Sequence, residues 1–319
     1  MDVTRALYEN DVMQAEEPHT PLFDPKPLVE AGRRWSRWLG PLIAFAVLVA
    51  SIVKLSTLHV PDIWHQVLAT TPAFWLAFVI SYFVGPVTDW LIFHRLWNIP
   101  ASGIFALLRK QLTNALLPSY SGEVYFYTWA RKRSDLTGAP FGAIKDVAII
   151  SALTGNVFTL AMLIVAYPLF GSRLGGLHIE NFALSIGFLT LGSVVVMLFR
   201  GRLFSLPARE LWHVAAIVMV RTVANTAALG LMWHFAMPVV DLTWWLLLAT
   251  IKLLLSRLPF VPNIDIVFVG VVVVFIGHGQ QQIQDLVVMV VGITYVTHAA
   301  LGLILGAIDL LTSREVEHA

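Results

Sequence analysis

The sequence predicts an all-α polytopic membrane protein, with about six transmembrane helices plus two re-entrant helical hairpins in an inverted repeat. Composition, the lengths of the apolar runs and the placement of Lys and Arg lead there. Of the 319 residues, 57% are hydrophobic and 13% charged, and mean hydropathy is +0.75. A soluble domain carries roughly 25% charged residues. Six apolar runs lie near 39–58, 73–93, 146–169, 181–199, 211–236 and 284–309, close to the roughly 20 residues a helix needs to cross hydrocarbon. Two more apolar regions, 101–130 and 243–277, are interrupted near their centres by "PSYSGE" and "PFVPNID". Each reads as two half-spanning arms, because proline lacks an N–H and ends a helical arm. Irregular backbone at membrane depth is tolerated where protein or a wet cavity surrounds it.

The cations fix a topology. Residues 1–38 are acidic and proline-bearing, lack an early apolar core and read as a polar cytoplasmic tail. Arg33, Arg34 and Arg37 precede the first run, Arg95 follows the second, and Arg200, Arg202 and Arg209 follow the fourth. Arg109 and Lys110 lie near the start of the first interrupted region, and Arg131, Lys132 and Arg133 follow its end. Loop cations favour the cytoplasmic side. One arrangement satisfies nearly all of them: both interrupted regions enter and leave on the same side, and both termini are cytoplasmic. The expected domains are the tail at 1–38, a transmembrane domain at 39–312 and a cytoplasmic C-terminal tail at 313–319. Within the membrane domain, repeat 1 covers about 39–169 and repeat 2 about 181–309. The expected location is the cell membrane, multi-pass.

Each half then has two spans, a hairpin and one more span, with the hairpins opening from opposite sides. Inverted repeats of this kind recur in transporters with sites near the midplane. "LLPSYSGEV" (116–124) parallels "RLPFVPNIDIV" (257–267): Leu-Pro ends an arm and an acid follows, Glu123 or Asp265.

Asn114, Pro118, Gly122 and Glu123 form an Asn-x-x-x-Pro…Gly-Glu pattern, and "RLWNIP" (95–100) supplies a short basic segment before it. The pattern resembles the signature of the flippase-like transmembrane domain of lysylphosphatidylglycerol synthases, over residues about 35–312. The resemblance implies movement or binding of membrane lipids, phospholipid or polyprenyl-phosphate-linked. About ten residues follow the last span, so the aminoacyl-transferring domain and lysyl transfer are not expected.

Candidate substrate-binding residues follow from charge placed at membrane depth, which usually faces a bundle interior or a cavity. Glu123 is a candidate proton carrier or partner of a cationic headgroup, and Arg109 and Asp265 belong to the same substrate-binding set; the plainer reading of Glu123 is a staple across the turn, accepting from turn N–H groups or paired with Arg109. Asn114, Ser119, Ser121 and Gly122 surround the turn, where they either satisfy local backbone groups or help to bind an anion at the half-helix ends. Arg221 and Asn225 share a helix face at i and i+4. Arg221 and Arg257, with Lys252 less strongly, suit a phosphodiester, since guanidinium offers a planar fork. Their plainer readings are an ion pair of Arg221 with Asp265 or Glu123, and snorkelling of Lys252 and Arg257. Asp89, after Gly85 and Pro86, and Asp309 are weaker candidates.

Other function classes are unsupported. The chain has no cysteine, and its ten histidines have no metal-ligand spacing, so thiolate catalysis is excluded and no metal or other cofactor is expected. A net charge of +1 gives no sign of a nucleic-acid partner. No catalytic triad order or nucleotide fingerprint occurs, so no enzyme is expected. The reading is a carrier moving a phosphate-bearing lipid headgroup between leaflets, through a cavity between the two hairpins. The alternatives are a small-molecule or ion secondary transporter, and a non-transporting scaffold for a lipid-biosynthesis enzyme. A homo-oligomer is left open.

Overall fold

The computed structural model describes residues 70–116, 121–132, 140–170, 187, 204–257, 264–276 and 281–317. All regular structure among them is helical: α1 (Pro72–Trp97), α2 (Gly103–Leu116), α3 (Ser121–Lys132), α4 (Pro140–Phe170), α5 (Ala208–Ala236), α6 (Leu242–Leu255), α7 (Ile264–Ile276) and α8 (Gln281–Glu317). Four stretches are long and apolar enough to cross a membrane: Pro72–Trp97, Phe141–Val165, Ala208–Ala236 and Gln282–Ile308. They match four of the six expected spans. The run near 39–58, the tail at 1–38 and all of 181–199 except Gly187 lie outside the described residues. α8 continues to Glu317, through most of the segment expected as a C-terminal tail.

The interrupted regions fold as expected of broken arms. α2 ends at Leu116, before Pro118, and α3 starts at Ser121. The pairs Gly122–Asn114, Glu123–Lys110 and Tyr125–Arg109 run in opposite senses along the two arms, so α2 and α3 form an antiparallel helical hairpin. α6 and α7 also pack together, with Lys252 near the end of α6 bonded to Asp265 in the first turn of α7.

The two halves repeat one pattern. Helix lengths run 26, 14, 12 and 31 residues, then 29, 14, 13 and 37. Packing follows suit: α1 on α2 and α5 on α6, α2 on α3 and α6 on α7, α3 on α4 and α7 on α8, α4 on α6 and α8 on α2. The seam is the pair α1 and α5. They are antiparallel, because Arg95 meets Glu210 while Ser81 meets Asn225.

α1 shows why the sequence folds this way locally. Thr71 caps its N-terminus by accepting from the Phe74 amide at 3.4 Å, and Pro72 occupies the first turn, where no N–H is needed. Asn98 closes the other end in the left-handed region, φ 51°. Inside the helix, Pro86 lacks the N–H that would bond the Tyr82 carbonyl. Gln111 of α2 supplies the missing donor, its Nε2 lying 3.1 Å from that oxygen. The absent side chain at Gly85 leaves room for the Gln111 amide. The Gly85–Pro86 pair therefore seats α2 on α1.

Two apolar clusters flank the centre of the seam. One joins Phe74, Phe78 and Tyr82 of α1 to Met232 and Trp233 of α5, Trp245 of α6, Phe268 of α7 and the first half of α8. Trp233 stacks on Phe268 with centroids 5.7 Å apart, an arrangement contributing about 0.5–1.5 kcal/mol beyond area burial. The other joins Ile92 and Phe93 of α1 to Leu107, Tyr125, Phe126, Val147, Val214 and Val218. Between them, at the middles of α1 and α5, the lining turns polar.

Candidate functional site

A cavity of about 990 Å³ occupies that middle. It takes Ser81 and Gly85 from α1, Gln111 and Asn114 from α2, Glu123 from α3, and Ser151 and Asn156 from α4. Arg221 and Asn225 come from α5, Lys252 from α6, Arg257 from just beyond it, Asp265 from α7 and His298 from α8. Both hairpins therefore contribute to one chamber. Arg221 lies 13 residues into the 29-residue α5, about 20 Å from its start at the helical rise. That depth is close to half of the helix.

The charges are organised in pairs. Asp89, buried at 8% exposure, receives Lys110 Nζ at 2.8 Å and Arg221 Nη1 at 2.6 Å. One carboxylate thus ties α2 and α5 to α1. Lys110 also lies 3.7 Å from Glu123 Oε1 and near the faces of Phe93 and Phe126. Glu123 Oε1 accepts from Asn114 Nδ2 at 3.1 Å, and Asn114 Oδ1 accepts the Gly122 amide at 2.8 Å. A Cβ on Gly122 would overlap the Lys110 carbonyl and the Asn114 side chain. Glycine there is a requirement of close approach. On the other hairpin, Lys252 Nζ bonds Asp265 at 2.7 Å and lies over Phe268.

Arg257 differs from these. Its guanidinium lies against Gly155 of α4, which has no side chain to obstruct it. Its buried Nε has no hydrogen-bond partner, and no carboxylate pairs with it among the described residues. One turn earlier on α4, Ser151 Oγ accepts Arg221 Nη2 at 3.1 Å. Two guanidinium groups thus sit one helical turn apart on the same face of α4. Among the described residues, three cations (Arg221, Lys252, Arg257) and two carboxylates (Glu123, Asp265) line the cavity, and Lys110 with Asp89 beside the lining adds one of each, leaving one positive charge in excess.

Among the sequence candidates, Asn114, Glu123, Arg221, Asn225, Arg257 and Asp265 line this chamber. Arg109 does not: it donates to Tyr125 Oη at 3.3 Å and to the Leu305 carbonyl at 2.7 Å, which fastens α2 to α3 and α8. The expected pairing of Glu123 with Arg109 is replaced by Lys110, and that of Arg221 with Asp265 or Glu123 by Asp89. In each case the nearer charge on the facing helix wins. Ser121 and Gly122 open α3 and support the turn without lining the cavity. Ser119 lies outside the described residues. Sequence reasoning underrated Asp89 and passed over Lys110 and His298. Lys110 was detectable, since Lys110 and Asn114 share a face at i and i+4, with Arg109 about 100° round the helix.

No protein-family model, curated protein or solved structure matches this chain.

Proposed function

We propose that the chain carries the phosphate-bearing headgroup of a membrane lipid between bilayer leaflets, through the chamber between its two hairpins, while the acyl chains stay in the bilayer. The observation that carries this is the juxtaposition of Arg257, with no acid partner among the described residues, and Arg221 one turn away, in a chamber whose described residues carry one excess positive charge. A phosphodiester brings one negative charge and oxygens that suit two guanidinium forks. A volume of about 990 Å³ holds a headgroup; ligand pockets run to about 1,000 Å³. In this reading the two hairpins are re-entrant, the halves are inverted with respect to the membrane, and both termini are cytoplasmic. Rocking of one half against the other exposes the site to each side in turn. The resemblance of Asn114, Pro118, Gly122 and Glu123 to the flippase-like domain signature points the same way.

The same chemistry suits a soluble organic phosphate, and the experiment separates the two sources. Purified protein is reconstituted into vesicles carrying a trace of acyl-labelled phosphatidylglycerol, and a membrane-impermeant quencher reports outer-leaflet label over time. A parallel arm follows uptake of radiolabelled glycerol phosphate. Lipid exchange that Arg257→Gln abolishes supports the proposal. Uptake without lipid exchange assigns the chamber to a small-molecule carrier. Neither activity, across several phospholipid classes, refutes carriage of either kind.

A further inference from the structure

The chamber has a second polar group that the phosphate reading leaves unused. His298 is buried at 4% exposure yet lines the cavity. Its Nδ1 lies 2.6 Å from Tyr82 Oη. Tyr295, one turn back on α8, presents its ring edge-on at 6.0 Å. Asp265 of α7 lines the same cavity as His298. Lys252 of α6 holds that same carboxylate at 2.7 Å. From α2, Gln111 bonds the Tyr82 carbonyl, while Arg109 is turned to Leu305 further along α8. α5 contributes Arg221 to the shared cavity, and Arg257 lies beyond α6. Among the cavity-lining residues, His298 is the side chain whose ordinary chemistry changes charge between about pH 5 and 8.

We propose that His298, bonded to Tyr82 and sharing the cavity lining with Asp265, is a proton site coupled to anion occupancy of the Arg221–Arg257 site. This rests on the reading of the chamber as a phosphate site. The neutral ring has one nitrogen donor and one acceptor. With Tyr82 donating, Nδ1 is the acceptor. A proton from bulk hydronium, relayed through the cavity so that only water is left behind, then forms an N–H bond at Nδ1, the Tyr82 hydroxyl turns to accept it, and the ring gains one positive charge. That charge shares the cavity with Asp265, where it competes with Lys252 for the carboxylate. It is also repelled across the shared cavity by Arg257, with which no carboxylate pairs among the described residues. An anion bound to the two guanidinium groups removes that repulsion and favours protonation. By reciprocity, protonation tightens anion binding by the same factor. The cargo and the proton therefore travel together, and a pH gradient drives the anion.

The test uses the full chain in phosphatidylcholine nanodiscs. Histidine-selective ¹⁵N NMR assigns the ring through the signal lost in His298→Gln. Glycerophosphoglycerol, a phosphodiester without acyl chains, is the probe. The titration midpoint of His298 is expected to rise on adding the probe, to fall in Asp265→Asn without it, and to stop responding to the probe in Arg257→Gln. A ring that stays neutral under every condition overturns the proposal. So does a midpoint indifferent to the probe in the wild type. The lipid-exchange assay stands apart: no exchange, with the midpoint shift intact, removes lipid as the cargo and keeps proton–anion coupling. Exchange with no midpoint shift does the reverse.

Discussion

Asp89→Asn tests the electrostatic centre of the fold. The substitution keeps the shape but removes the charge that holds Lys110 and Arg221 at 2.8 and 2.6 Å. Losing one partner of a buried pair destabilises by about 3–5 kcal/mol, because the remaining charge is buried unmatched. Partial wetting lowers this here: the Asp89 and Lys110 side chains are 12% and 13% exposed and Arg221 is 21%. Lys110 also keeps Glu123 at 3.7 Å. Arg221 keeps the Ser151 hydroxyl, with Arg257 repelling it. About 2–3 kcal/mol remains, roughly a 30- to 150-fold loss in the ratio of folded to unfolded protein. Reversible unfolding in mixed micelles of rising denaturing-detergent fraction, followed by circular dichroism, measures it. Arg221→Gln in the Asp89→Asn background removes the stranded charge. The double variant should therefore be no less stable than Asp89→Asn, a coupling of at least about 1 kcal/mol. Simple additivity of the two losses, or Asp89→Asn within about 0.5 kcal/mol of wild type, would refute the buried-triad account.

Three further outcomes follow from the geometry. Gly122→Ala drives a Cβ into the Lys110 carbonyl and Asn114; backbone cannot yield cheaply, so unfolding should show a loss of about 1–3 kcal/mol. Gly155→Ala meets only the far end of the Arg257 side chain. It should leave the unfolding midpoint nearly unchanged while weakening binding of glycerophosphoglycerol, read by titration calorimetry. Asn114→Ala strips a bond each from Glu123 and the Gly122 amide. It should cost about 1–3 kcal/mol in the same detergent unfolding.

Much of this architecture is legible in the sequence, for local reasons. Spans such as 73–93 and 211–236 announce themselves by length and apolarity, and Pro118 marks the break between α2 and α3 because its effect is confined to one turn. Charged residues at depth, such as Glu123, Arg221 and Asp265, point to a chamber because hydrocarbon does not tolerate them elsewhere. Partners are another matter. Asp89 and Arg221 are 132 residues apart, and Tyr82 and His298 are 216 apart. No periodicity within one helix reveals which face of another meets it. Arg109 reads from the sequence as a cation beside the turn that suits Glu123, yet its position on the helix circumference sends it to α8. A lone histidine in an apolar run carries no signal until a tyrosine from a distant helix is placed against it.

The Tyr82 carbonyl bears on how the chain enters the bilayer during synthesis. α1 emerges from the ribosome with that oxygen bare, because Pro86 cannot serve it, and the group that does, Gln111, lies 25 residues beyond Pro86. An unserved carbonyl in hydrocarbon costs several kcal/mol. α1 therefore settles fully into lipid only once α2 has arrived beside it. α1 and the first arm of the hairpin are delivered as one insertion unit, and ribosome-stalled chains truncated before Gln111 should leave α1 hovering at the translocon.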